Sequence, residues 1–321
     1  MSQHQEVSIG IDLGGTNVRV GAIDQNGQAL AWNEMPIEAE RGPQAGLERI
    51  AGLIETTLGG LQSPTLLAIG IGAAGPVNRA LGAIQNPFTL PTWENVNIVS
   101  SLSDRFQTPV ALENDADAAI LGEYWRGAGR NASPLYMLTL GTGVGAACLA
   151  DGKLYRGATG FHPEGGHAII DPSGPLCYCG ARGCMEMFIA GPAVARRARE
   201  MIASTPSRLL EMAGGDPANI HAAMVSQAAA EGDEVGREVM AQTGYYLGLS
   251  VINIIRLFYP EKILLGGSGV KHFELIEPSM WATISPQIIM EPDRPVSIEL
   301  AQLGGQAGMI GAAYAALQLL E

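Results

Sequence analysis

The chain has 321 residues, 47% hydrophobic content, 42 glycines and a formal net charge of −13. That length and composition suit a compact α/β protein of two lobes with many tight turns. The acidic balance excludes nonspecific binding to nucleic acid or to an anionic membrane, since both need a cationic surface. No segment reaches the roughly 20 uninterrupted apolar residues of a membrane span, and Met1-Ser2-Gln3-His4-Gln5-Glu6 lacks the basic-then-apolar order of a signal peptide, so a reducing cytoplasm is the expected compartment.

A first strand is predicted over 7–13, followed by the glycine turn Gly14-Gly15-Thr16, a second strand over 18–23, an Asn26-Gly27 hairpin signal and a third short strand. A helix near 43–60, an apolar strand over 66–72 and a Pro- and Asn-rich loop over 84–97 come next. A strand over 110–112 ends at Glu113-Asn114-Asp115, with a helix over 116–124. The strand over 136–140 then leads into Gly141-Thr142-Gly143, a strand over 146–149, an Asp151-Gly152 turn and a strand over 153–155. The order strand, glycine hairpin, strand, turn, strand therefore occurs in two copies, a duplicated β-sheet core that a generic dinucleotide fold would not show. Helices are expected near 188–204, 217–231 and 234–258, with Asp216-Pro217 as a cap and first-turn pair. A strand over 262–265 enters Gly266-Gly267-Ser268-Gly269 ahead of a further helix, and 308–320 reads as the last helix, returning to the first lobe. The expected division is a smaller lobe of 1–117 plus 305–321 and a larger lobe of 118–304 that carries the cysteines.

Cys177-Tyr178-Cys179-Gly180-Ala181-Arg182-Gly183-Cys184, preceded by Glu164-Gly165-Gly166-His167, places three thiols and an imidazole at metal-binding spacing. Zinc favours four tetrahedral nitrogen and sulfur ligands, so His167, Cys177, Cys179 and Cys184 form a candidate structural zinc site. A disulfide between neighbours such as Cys177 and Cys179 would form only with strain. Cys148 reads as a buried apolar thiol.

Asp12-Leu13-Gly14-Gly15-Thr16 puts a carboxylate at a strand end with a bare backbone turn after it. That arrangement suits a polyphosphate, with amides near its oxygens and Asp12 holding Mg2+ through water. Alone the motif would be an ordinary hairpin, but Gly141-Thr142-Gly143 stands at the equivalent point of the second copy, and two such hairpins facing across a cleft could clasp one nucleotide. Gly266-Gly267 is either a plain strand-to-helix turn or a place where the adenosine end lies against backbone. Asp115 follows a strand and starts a helix, so it could cap that helix or accept a proton from an attacking hydroxyl. Catalysis outweighs capping, and the two can coexist.

With these residues the chain resembles the ROK family of sugar kinases and repressors, within the actin-like, hexokinase-like ATPase superfamily. The motifs that carry the resemblance are Asp12-Leu13-Gly14-Gly15-Thr16, Glu113-Asn114-Asp115, Leu140-Gly141-Thr142-Gly143, Glu164-Gly165-Gly166-His167, the cysteine motif with Glu186, and Gly266-Gly267. The resemblance implies a two-lobed actin-like (ribonuclease H-like) α/β fold and an ATP- and Mg2+-dependent hexose kinase acting on the 6-hydroxyl, with glucose as the expected sugar. It implies Asp115 as catalytic base, and Asn114, Asp115, Glu164, His167 and Glu186 as sugar ligands, with Gly75-Pro76 and the loop around Asn86 and Asn95 as further sugar-facing positions. His167 would serve zinc with one nitrogen and a sugar hydroxyl with the other.

Asp117 departs from the family's frequent asparagine, Pro163 from a small residue and Gly165 from an aliphatic one. Within the family the alternatives are a kinase of N-acetylmannosamine, N-acetylglucosamine or another hexose, and a sugar-sensing repressor, for whose winged helix Asp12 leaves no room. A catalytically silent zinc module would lack Asp115 or the phosphate turns. The expected partners are a hexose and ATP, with a homodimer or homotetramer as the assembly and no nucleic acid or membrane.

Overall fold

The structure is a computed structural model that describes residues 5–87, 89–287 and 296–321. The N-terminal residues 1–4 read for a signal peptide, and Phe88 in the predicted 84–97 loop, lie outside the described residues. The chain divides into two units, one of Met1–Ala132, Ala147–Pro163 and Ala301–Glu321, the other of Ser133–Ala146 and Glu164–Leu300.

In chain order the first elements are β1 (Gln5–Leu13), β2 (Asn17–Asp24), β3 (Ala29–Pro36), α1 (Pro43–Gly59), β4 (Pro64–Ala73), β5 (Val77–Asn78), β6 (Ala83–Gln85), β7 (Glu94–Asn97), α2 (Ile98–Phe106), β8 (Val110–Asn114) and α3 (Asp115–Arg126). β9 (Leu135–Leu140), β10 (Val144–Ala150), β11 (Lys153–Leu154), α4 (Glu186–Ile189), α5 (Gly191–Ile202), α6 (Leu209–Met212), α7 (Ala222–Ala230) and α8 (Glu234–Phe258) follow. The chain ends with β12 (Lys262–Gly266), α9 (Glu277–Ile284), β13 (Ser297–Leu300) and α10 (Ala307–Leu317).

The duplication expected from the sequence is present in the topology. One five-stranded sheet has the order β3-β2-β1-β4-β8 and the other the order β11-β10-β9-β12-β13, each built from a hairpin succession extended by two later strands. β4 runs parallel to β1, and β8 parallel to β4, while β12 runs parallel to β9, and β13 to β12. Strands covered on both faces need continuous apolar runs rather than alternation, and Ile9, Ile11, Ile69 and Ile71 are all fully buried. α10 packs across β1, β4 and α3 in the first unit. Gly70 permits this approach, because a Cβ there would run into the carbonyl of Ala312.

Several elements differ from the sequence expectation for identifiable reasons. The loop over 84–97 contributes β6 and β7 to a three-stranded sheet with β5, and α2 follows it. The helix expected over 188–204 is broken at Ala190, which is extended with φ −68° and ψ 157°, and restarts as α5 with Pro192 in its first turn. Asp216 caps a 3-10 turn, Pro217–Asn219, through Ala218 N, and His221 caps the helix proper, α7. After Gly267 the chain makes short 3-10 turns before α9 begins with Pro278 in its first turn. Among the described residues no helix is long and apolar enough to cross a membrane.

The junction of β8 and α3 is fixed by one side chain. Asn114 is extended, at φ −65° and ψ 153°, and its Oδ1 accepts from Ala116 N at 2.8 Å and Asp117 N at 3.4 Å, satisfying amides that the first helical turn leaves unpaired. Asn114 is therefore the cap, and Asp115 is the first helical residue. Replacing Asn114 with alanine should lower the unfolding free energy by about 1 kcal/mol or more, as measured by denaturant titration. An unchanged midpoint would show that packing, not the cap, holds this junction.

Candidate active site

In the first unit the parallel strands end together. Leu13 of β1 is in register with Ala73 of β4, and Ala73 with Asn114 of β8. The segments that leave these strand ends, Gly14-Gly15-Thr16, Gly75 and Asp115, therefore start from one edge of the sheet, the carboxyl edge at which open α/β sheets bind ligands. Gly75 lies directly against the cap, since a Cβ on it would stand 2.6 Å from Asn114 Nδ2. Asp115 is exposed, and its Oδ1 accepts from Ala116 N at 2.9 Å. Asp115 stands in the first turn of α3, at the positive end of the helix dipole.

Asp12 sits at the end of β1 with Arg19 Nη1 at 3.4 Å, and Arg19 Nε is 3.0 Å from Glu34. Burial raises the Asp12 pKa above its ordinary 3.8 by more than Arg19 lowers it. A carboxyl with a raised folded-state value favours the fold below its ordinary pKa and loses that contribution as pH rises through the folded value. At neutral pH the Asp12 charge thus costs stability, a position suited to a counter-cation. The turn after it is closed by Gly14 N donating to Asn17 O at 3.0 Å, and Gly15 is pressed against Thr89, whose carbonyl oxygen would be 2.8 Å from an added Cβ.

Ion pairs and a hydrogen bond that the sequence did not reveal lie beside this edge. Glu113, buried with 4% exposure, pairs with Arg79 Nε at 3.0 Å and with Arg156 Nη2. Burial raises the Glu113 pKa, opposed by both arginines. Asp117, the departure from the family's asparagine, is buried and stands 2.9 Å from His162 Nδ1. An acid at 117 was the signal that could have pointed to a basic partner, but nothing local in sequence marks His162. Asn86, by contrast, is fully buried and holds its own loop, with Nδ2 donating to Ala74 O at 3.0 Å and Thr89 Oγ1 at 2.6 Å. Asn95 is exposed and accepts from Gln85 Nε2 at 2.9 Å.

In the second unit the structure brings the remaining glycine motifs together. Gly141 N donates to Gly143 O at 3.0 Å across the turn after β9, and Thr142 is exposed at its tip. Gly266 ends β12 beside Thr139, and Gly267, at φ +85°, packs so closely on Leu140 that a Cβ would strike its carbonyl. Glu186 opens α4, and its Oε2 accepts from Val144 N at 2.9 Å. The exposed Glu164 precedes a 3-10 turn, Gly165–His167. The departure at Gly165 has a packing reason: an added Cβ would meet Ala146 Cβ at 2.8 Å and the Tyr136 hydroxyl at 2.9 Å, leaving no room for an aliphatic side chain. The structure offers no comparable reason for Pro163.

His167, Cys177, Cys179 and Cys184 form the only His/Cys/Asp/Glu group of metal-binding geometry among the described residues, with their ligand atoms all within 4.8 Å of one another. His167 Nδ1 is 3.5 Å from Cys177 Sγ, and Cys179 and Cys184 Sγ are 3.5 Å apart. Such spacing, with soft donors of the kind zinc prefers, fits a single tetrahedral ion. Burial pushes the Cys177 and Cys184 thiols up, whereas the Ala181 backbone N–H holds Cys179 down. A cation would displace these protons, so its binding would strengthen as pH rises. His167 Nε2 points to the Tyr178 hydroxyl at 3.1 Å.

Residues 8–319 match the model of the ROK family. The glucokinase of Thermotoga maritima is 32% identical over 305 residues, 95% of each chain. Among solved structures, a ROK family glucokinase from Streptomyces griseus in complex with glucose and AMPPNP superposes with a TM-score of 0.83 at 31% identity, covering 97% of this chain and 99% of that one. A ROK hexokinase from Thermus thermophilus superposes with a TM-score of 0.80 at 27% identity, covering 98% and 99%. With its repeated sheet order, the chain has the two-lobed actin-like ATPase fold of those enzymes. The chain belongs to the ROK family and is a sugar kinase of it.

Proposed function

We propose that the chain transfers the γ-phosphoryl group of ATP to the 6-hydroxyl of glucose, with Asp115 as the base. The observation that carries this reading is the β8–α3 junction, where Asn114 caps the helix and the exposed Asp115 follows it on the first turn, at the carboxyl edge of the sheet. Asp115 orients the hydroxyl and takes its proton as the sugar oxygen bonds to the γ-phosphorus; the bond to the bridging oxygen breaks, giving ADP and the hexose 6-phosphate. Gly75, Asn114, Glu164, His167 and Glu186 hold the sugar.

Asp12, Gly14, Gly15 and Thr16 hold the nucleotide together with Gly141, Thr142, Gly143, Gly266 and Gly267. Backbone amides serve a phosphate well here because the glycines leave them uncovered. Mg2+, when bound, offsets phosphate charge, and Asp12 is the carboxylate that would hold it. The Streptomyces griseus relative with glucose and AMPPNP supports this choice of substrates.

Zinc is the ion we assign to His167, Cys177, Cys179 and Cys184, as a structural support. With Nδ1 among the thiols, Nε2 is the nitrogen left for a sugar hydroxyl in the place now taken by Tyr178.

An assay of ADP release across a panel of hexoses should give the highest kcat/KM for glucose. A higher value for N-acetylmannosamine or N-acetylglucosamine would reassign the sugar, and release with none of them would contradict the kinase reading. Metal analysis should find about one zinc per chain, the number a single four-ligand site holds. Cys179→Ser should lose the ion, lower the melting temperature and weaken glucose binding through His167. Freshly purified, active enzyme without zinc would refute the assignment.

A further inference from the structure

Glu186 belongs to the cysteine motif by sequence, but its carboxylate is engaged with the glycine hairpin. Oε2 accepts from Val144 N at 2.9 Å, and an added Cβ on Gly143 would be 2.7 Å from the same oxygen. The base from which Glu186 projects is itself fixed. Met185 N donates to Ala168 O at 2.8 Å, and Cys184 bridges to Ile169. The other arm of the turn is held as well, since Gly191 N at the start of α5 donates to Gly141 O at 2.8 Å. A turn with glycine at 141 and 143 is expensive in entropy to order, and a charge-assisted bond to its following amide removes part of that cost before any ligand arrives.

We propose that Glu186 is a positioning residue for the nucleotide: by holding Val144 N it preorganises the Gly141-Thr142-Gly143 turn for phosphate. The inference rests on the reading of that turn as a nucleotide-binding hairpin, and it adds to the sugar contact assigned to Glu186 above. Its distinguishing consequence is that a residue next to the cysteine cluster controls affinity for ATP as well as for sugar.

The test is calorimetric titration with AMPPNP, without sugar, on the full chain. Glu186→Ala should weaken AMPPNP binding roughly 10-fold, the order expected for losing a hydrogen bond to a charged group. Glu186→Gln, whose amide oxygen can still accept from Val144 N, should stay within about 3-fold of the wild type. Glu186→Asp keeps the charge but is one methylene short, so it should behave like alanine and serves if the alanine variant does not fold. An unchanged AMPPNP affinity in Glu186→Ala or Glu186→Asp would overturn the proposal, as would a glutamine variant as weak as alanine. Hydrogen exchange at the Val144 amide reads the bond without nucleotide: it should accelerate in the alanine and aspartate variants and stay slow in glutamine. Failure of the wild type to bind AMPPNP would instead count against the kinase reading, and the exchange rates would still decide whether Glu186 holds the turn.

Discussion

The cap that Asn114 places on α3 is the constraint on which the first unit's chemistry depends. A helix beginning at the end of a buried strand must satisfy its first amides locally, and the Asn114 side chain does so for Ala116 and Asp117. The carboxylate of the next residue is thereby placed on the first turn, in the field of the helix N-terminus, and remains exposed. Gly75 fits against the same asparagine, so a change at either position would move the other. The register of β1, β4 and β8 brings Asp12 and its turn to the same edge.

The second unit solves a different problem, that of fixing loops with little side-chain mass. Its glycine turns are pinned by neighbours: Gly267 lies on Leu140, Gly191 N holds Gly141, and Glu186 holds Val144. The segment over 164–186 has few regular elements of its own, and the His/Cys cluster is the feature capable of cross-linking it. A four-ligand ion is an economical device for such a segment, because it replaces the apolar core that short loops cannot build.

Much of the fold was legible because its signals are local. The duplicated glycine hairpins, the apolar runs of β1 and β4, and α8 over Glu234–Phe258 could be read from periodicity and turn residues. β13 was missed because Ser297–Leu300 is too short to show a period, and α2 because its start depends on Asn97 accepting from Ser100 N. The His/Cys cluster and Asp115 were visible as motifs. The Asp117–His162 and Glu113–Arg79–Arg156 pairs were not, since each joins residues more than 30 positions apart and no local pattern announces a tertiary ion pair. The Glu186–Val144 bond was hidden for the same reason, across 42 positions. Gly165 shows the reverse case, a sequence departure whose cause is the Tyr136 hydroxyl in the space a side chain would need.

The central claim is that Asp115 accepts the sugar proton while Asn114 caps the helix. Steady-state kinetics of folded Asp115→Asn, alongside titration with glucose and with AMPPNP, tests it most directly. Asparagine preserves size but cannot act as a base, so kcat should fall roughly 100-fold or more, the range a general base supplies, with both affinities close to those of the wild type. A near-normal kcat would contradict the account.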